Sequence, residues 1–241
     1  MRKFFFDKRP AANEGFHYRG HEVRRIETFS DAVFAFAVTL LIVSLEVPRT
    51  FEELLISIRG FVAFGICFCF LMLVWYEQHV FFRRYGLDDL PTIVLNSALL
   101  FIVLFYVYPL KFLSTLIFSD NIYGAGRSPF SIRPGQIVQL MVIYGMGYII
   151  IYAIFLLLYI HALRNKIILG LNQLEVFDTH TKIYSHVILI SIGLLCILLA
   201  YLIPARLGGI SGMFYMLIGP AFWVYYSRRG RIRKRMVLAA T

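Results

Sequence analysis

Charge is what this sequence has least of. Asp, Glu, Lys and Arg make up 16% of its 241 residues, against about 25% in an ordinary soluble domain. Hydrophobic types fill 59%, an excess that one small globule cannot bury, because a chain of this size keeps much of its surface in water. A soluble enzyme, a disordered chain and a coiled coil are excluded together. Cysteine is nearly absent. Cys67 and Cys69 share one apolar run and Cys196 lies in another; none has a His or Cys partner nearby, so these are read as buried packing thiols, neither metal ligands nor disulfides. His161, His180 and His186 lack the spacing of a metal-binding HExxH helix. They are given an interfacial place and no catalytic one. Also missing is Thr-Val-Gly-Tyr-Gly, a backbone-carbonyl ion-filter sequence. Tyr144-Gly145-Met146-Gly147-Tyr148 only imitates it, sits inside a long apolar run, and reads as small-residue helix packing.

What is present is a series of apolar runs, solid where a membrane barrel would alternate. A spanning helix needs about 20 apolar residues. Runs fill 32–45, 60–76, 90–110, 134–163, 183–205 and 207–227. These predict an all-α, six-span membrane protein, with an arm over 1–23, a transmembrane unit over 24–227 and a basic tail over 228–241. The connections are too short for an extramembrane catalytic domain. The first run lacks the cleavage site of a signal peptide.

Basic residues set the orientation. An even number of spans puts both termini on one side, and that side collects eighteen of the 24 Lys and Arg residues. Both termini are therefore expected in the cytoplasm. The same asymmetry accounts for the formal net charge of +10 without nucleic acid. The run Arg228–Arg235 reads as an anchor on anionic headgroups.

The first run departs from an ordinary lipid-facing helix. Its charge-free part, 32–45, reaches only roughly 21 Å at 1.5 Å per residue, short of a ~30 Å hydrocarbon core. Asp31 is expected to be shielded by protein or water, while Glu46 marks the opposite edge. Depth along successive spans then brings Arg25, Ser30 and Asp31, Trp75, Glu77 and His79, and Asn96 to one layer. That is the raw material of a buried interhelical network.

Arg25-x-x-x-Phe29-Ser30-Asp31, followed by Ala-Val-Phe-Ala-Phe-Ala-Val-Thr-Leu-Leu-Ile-Val, resembles the start of the transmembrane protein 175 family. Trp75 with His79, Asn96, and Pro109 extend the likeness through the first three spans. Gln78 stands where relatives often have a second histidine, and Phe36 where they tend to have Ile or Leu. The resemblance implies a potassium channel, a homotetramer of six-span chains in membrane lipid, and a pore lined by the first helix of each subunit without a re-entrant loop. No cofactor is implied, and no metal beyond permeating potassium.

At 100° per residue, Phe29, Ala32, Phe36, Leu40, Val43 and Val47 fall within about 80° of one another. By the resemblance, Phe36, Leu40 and Val43 are the constriction, an apolar ring that gates by excluding water, and Thr39 adjoins it. Arg25 is expected to be the hub of the network with Phe29, Ser30, Asp31, Trp75, His79 and Asn96, because its five donors can serve several acceptors. The competing reading is a secondary or proton-coupled transporter. That would call for a charged midplane site or an inverted repeat; the centres of the runs carry no Asp, Glu, Lys or Arg, and no such repeat is evident.

Overall fold

In a computed structural model, residues 16–20, 22–43, 49–123, 133–203 and 210–240 are described. Among them there are helices and no strands. The order is α1 (Arg25–Val43), α2 (Phe51–Arg59), α3 (Phe61–Tyr85), α4 (Leu90–Ile117), α5 (Ser119–Tyr123), α6 (Pro134–Arg164), α7 (Gln173–Leu202), α8 (Ile210–Met213) and α9 (Ile218–Ala240), with a 3-10 turn (Phe214–Leu217) between the last two. Among the described residues four segments are long and apolar enough to cross a membrane: the α2–α3 unit, α4, α6 and α7.

Helix ends follow local chemistry. Asn172 and Glu175 form a reciprocal capping box that opens α7, each side-chain oxygen accepting from one of the backbone N–H groups that a helix start leaves open. That places the start of α7 ten residues before the charge-free run at 183. The last span differs more: 207–227 was expected as one helix, but α8, the 3-10 turn and α9 replace it. No interruption marks the expected tail boundary at 227, and α9 carries the Arg-rich segment as helix.

α6 and α7 form the most extensive pairing; α4 joins them to α1 and α3, and α9 lies on α7. Small residues permit the close approaches. A Cβ on Gly147 would stand 2.2 Å from the Tyr106 ring, and one on Gly145 2.5 Å from the Ile197 side chain. The Tyr144–Tyr148 stretch is thus packing surface inside α6. Of the thiols, Cys67 and Cys196 are buried, but Cys69 is exposed. Residues two apart on a helix point about 200° apart, so Cys67 and Cys69 cannot share a core.

One end of the bundle is tied by the extended segment 16–20, which crosses the end of α3. Arg19 N donates to Arg84 O at 3.3 Å and Gly20 N to Arg83 O at 3.1 Å. Two glycines make the crossing possible. A Cβ on Gly20 would lie 2.7 Å from Phe82 O, and Gly86 ends α3 at φ +57°, a left-handed cap that glycine adopts without a steric penalty. Beneath the crossing sits an aromatic cluster in which Phe81 and Tyr85 each meet Tyr159 edge to face, all but sealed from solvent.

Candidate functional site

α1 has two faces. Ser30, Phe34, Ala37 and Leu41 are buried where the helix packs on α3 and α4. The opposite face is uncovered: Phe29 is 62% and Phe36 56% exposed, Ala32 and Thr39 are exposed, and Leu40 is half-buried. The stripe expected from helical spacing is therefore the face the chain does not use for its own core. The side chain of Val43, with Leu45, Glu46 and Val47, lies outside the described residues. The Thr39 hydroxyl donates to Ala35 O at 2.9 Å, so its proton is committed to the helix and its lone pairs face outward. At the far end of α1, Lys111 Nζ donates to Leu41 O at 3.2 Å, placing a cation on a carbonyl left open by the helix end.

Behind this face lies a buried polar chain. Gln78 Nε2 donates to Asn96 Oδ1 at 2.5 Å. Asn96 Nδ2 donates to Ser30 Oγ at 2.9 Å. Ser30 Oγ in turn donates to Ile26 O at 2.7 Å. Gln78, Asn96 and Ser30 are each almost wholly buried, so α1, α3 and α4 are pinned to one another through side-chain amides. A second link runs at the edge: Trp75 Nε1 donates to Asp31 Oδ1 at 2.7 Å. Trp75 stacks on His79 with centroids 5.4 Å apart. Asp31 thereby gains a donor while remaining exposed on the chain.

The network is the expected layer with a different centre. Asn96 is the hub, and Arg25 is not. Arg25 is exposed and has no hydrogen bond or ion pair among the described residues. It lines an open cavity of about 650 Å³ with Arg19, Arg24 and Asp88. Six residues separate it from Asp31, which turns it about 120° around the helix and away from Asn96. Phe29, also assigned to the network, projects from the uncovered face. Glu77 belongs elsewhere: its carboxylate receives Lys182 Nζ at 2.7 and 2.9 Å and Tyr159 Oη at 2.8 Å, on the side of α3 facing α6 and α7. Gln78 was not among the expected network residues. Its spacing of three from Trp75, which puts the two on neighbouring positions of one α3 face, is the signal that could have found it.

The comparisons with known proteins converge on these elements. A family model described as the endosomal/lysosomal potassium channel TMEM175 matches residues 25–106, the stretch holding α1, α3 and most of α4. A protein of Marivirga tractuosa named "Potassium channel" is 39% identical over 98% of this chain and 97% of its own length. The chain belongs to the TMEM175 family. A crystal structure of a variant of the potassium channel MtTMEM175, in complex with a nanobody–MBP fusion, superposes with a TM-score of 0.79 at 38% identity, covering 92% of this chain and 98% of that one. A TMEM175 homologue from Chamaesiphon minutus shares the fold, with a TM-score of 0.57 at 22% identity over 85% of this chain and 96% of its own. This TMEM175 relative is accordingly a multi-pass, all-α membrane protein, and its family motif falls on the helices that the polar chain joins.

Replacing the hub tests the chain. Asn96→Leu leaves the Gln78 amide and one lone pair of Ser30 without partners in a dry interior, which costs about 1–3 kcal/mol. The expected result is a clear fall in Tm, partly restored in Asn96→Leu/Gln78→Leu, where the second stranded group is also removed. Equal melting of wild type and Asn96→Leu would show that the amides carry no stabilising load.

Proposed function

We propose that this protein is a potassium-permeable channel whose pore forms on the axis of a homotetramer, each subunit lining it with the uncovered face of α1. The observation that carries this reading is the exposure of Phe29, Ala32, Phe36 and Thr39 on a helix whose other face is locked by Asn96, Gln78 and Ser30. A helix so fixed presents its stripe at a set angle, and four copies close an apolar constriction at Phe36, Leu40 and Val43. Such a ring blocks ions when narrow and passes them when the helices separate. It has no ligands to replace a hydration shell, so a modest preference for potassium over sodium is expected. The names of the relatives support the ion; the identity over nearly the full chain supports the transfer. The orientation with both termini in the cytoplasm follows from the basic residues, and this reading calls for no cofactor.

Two measurements test it. In liposomes, potassium flux should be passive and follow voltage; flux that runs only against an opposing gradient would replace the channel with a coupled transporter. Cysteine scanning from 29 to 41 should give inter-subunit crosslinks at 29, 32, 36 and 39/40, and none at 30, 34 and 37. No crosslinks in that window, with crosslinks instead from cysteines placed over 210–227, would reject α1 as the axis.

A further inference from the structure

A cleft of about 340 Å³ lies between the segment 16–20, the end of α3, the first turns of α7 and the middle of α9. Four cations line it: Arg84, Lys182, Arg229 and Arg233. Lys182 is paired with Glu77 at 2.7 Å and Arg233 with Asp178 at 3.0 Å. Arg84 and Arg229 have no carboxylate partner among the described residues. Neutral groups hold Arg229 in place: its Nε donates to Thr181 Oγ1 at 2.9 Å and Nη2 to Phe177 O at 3.1 Å, with the guanidinium 3.8 Å from the centre of the Phe177 ring. Those contacts fix the group and leave its charge uncancelled. Arg84 is held over the Phe16 ring at 4.9 Å, and its buried Nε has no hydrogen-bond acceptor among the described residues. A buried guanidinium N–H without an acceptor is unfavourable. Two pre-placed guanidinium groups lacking an anion mark an anion site, and their planar forks match phosphate oxygens.

We propose that this cleft binds a phosphate-bearing headgroup, with Arg84 and Arg229 as its charge partners, and that the source is an anionic phospholipid. The surroundings favour a lipid over a free anion. Tyr226 lines the cleft, and Trp223, three residues before it on the same face of α9, is 75% exposed. Tyr184 on the neighbouring turn of α7 is half exposed. Exposed Trp and Tyr beside a basic pocket are the composition of a membrane–water boundary, with apolar surface on which acyl chains can lie. The site differs from the diffuse attraction of the outward-facing Arg228, Arg231 and Arg235, which any anionic surface would provide. By the orientation proposed above this cleft lies at the cytoplasmic leaflet; the pocket itself does not depend on that orientation.

The test is thermal unfolding of the purified full-length protein in neutral detergent, with short-chain phosphatidylglycerol, phosphatidylcholine of the same chain length, or inorganic phosphate. Phosphatidylglycerol should raise Tm by about 5 °C near saturation, and phosphatidylcholine should not. Arg84→Gln/Arg229→Gln should abolish the shift, while Arg228→Gln/Arg231→Gln should keep it. If the double variant does not fold, Arg84→Gln alone decides, because it removes no side-chain hydrogen bond within the described residues; it should weaken the apparent affinity at least about fivefold. Equal shifts with both lipids, or an undiminished shift in Arg84→Gln, would overturn the proposal. A shift with inorganic phosphate but not with phosphatidylglycerol would keep the phosphate chemistry and overturn the lipid source. Channel activity enters none of these readings, so a failure here is distinct from a failure of the pore.

Discussion

Phe36→Asn should open this channel. The expected result is potassium current raised about tenfold or more, the change that follows from lowering a barrier by about 1.4 kcal/mol, together with a weaker preference for potassium over sodium. Phe36 is the bulkiest side chain on the uncovered stripe past the family motif, and more than half of it is exposed on the isolated chain. In the proposed tetramer four phenyl rings meeting on the axis would leave little space for a hydrated ion, and their apolar surface would expel water from the gap. Asn removes both obstacles, being smaller and able to hold water. Phe36→Ala widens the ring but keeps it apolar, so its gain in current should be smaller. Leu198→Asn is the control. Leu198 is exposed on α7, which packs chiefly on α6 and α9, and its substitution should leave reversal potentials unchanged. Reversal potential and current amplitude under a potassium/sodium gradient measure all three. Currents that respond to Leu198→Asn and ignore both substitutions at 36 would reject the assigned face of α1.

The helical period and the stripe it defines were legible in the sequence; that the stripe lines a pore came from the family resemblance. Depth along the runs also brought Ser30, Asp31, Trp75 and Asn96 into one layer, because spanning helices must alternate direction. What linear spacing could not supply was rotation. Arg25 and Asp31 sit at similar depth, yet point to different sides of α1, and Glu77 turns from α1 toward Lys182. Charge-free runs located both ends of α6 to within one residue and the start of α4, but missed the end of α3 and the start of α7. α3 continues past Glu77 and α7 begins before Lys182 because those two charges neutralise each other between helices, so neither ends a helix. A pairing over 105 residues of chain leaves no local trace. The last span failed for another reason: an apolar composition over 207–227 fits either one straight helix or the short helix, 3-10 turn and long helix seen here.

The same limit hid the arginine that does act as a hub. Arg19→Gln should lower Tm by about 10 °C, from a loss of about 3–5 kcal/mol. Arg19 lies in what reads as a plain basic arm, 156 residues from its partner. Its Nη2 donates to Glu175 Oε2 at 2.7 Å and to Gly170 O at 3.1 Å, its Nη1 to Glu175 Oε1 at 3.2 Å and to His17 O at 2.9 Å, and its Nε to Leu169 O at 2.6 Å. Glu175 is 1% exposed. Losing the guanidinium strands that carboxylate against the backbone N–H groups of His17 and Asn172 alone, and strands the Leu169 and Gly170 carbonyls with it. Arg19→Lys keeps the charge but replaces a planar fork with one ammonium, so it should recover less than half of the loss. Arg19→Gln/Glu175→Gln removes both charges and should melt above the sum of the single effects, since two contacting residues do not act independently. The segment 16–20 is also bonded to the end of α3, so limited proteolysis near residue 20 should accelerate in Arg19→Gln. Melting within about 1 °C of wild type, with unchanged proteolysis, would show that the segment is held by its aromatic and backbone contacts and not by this ion pair.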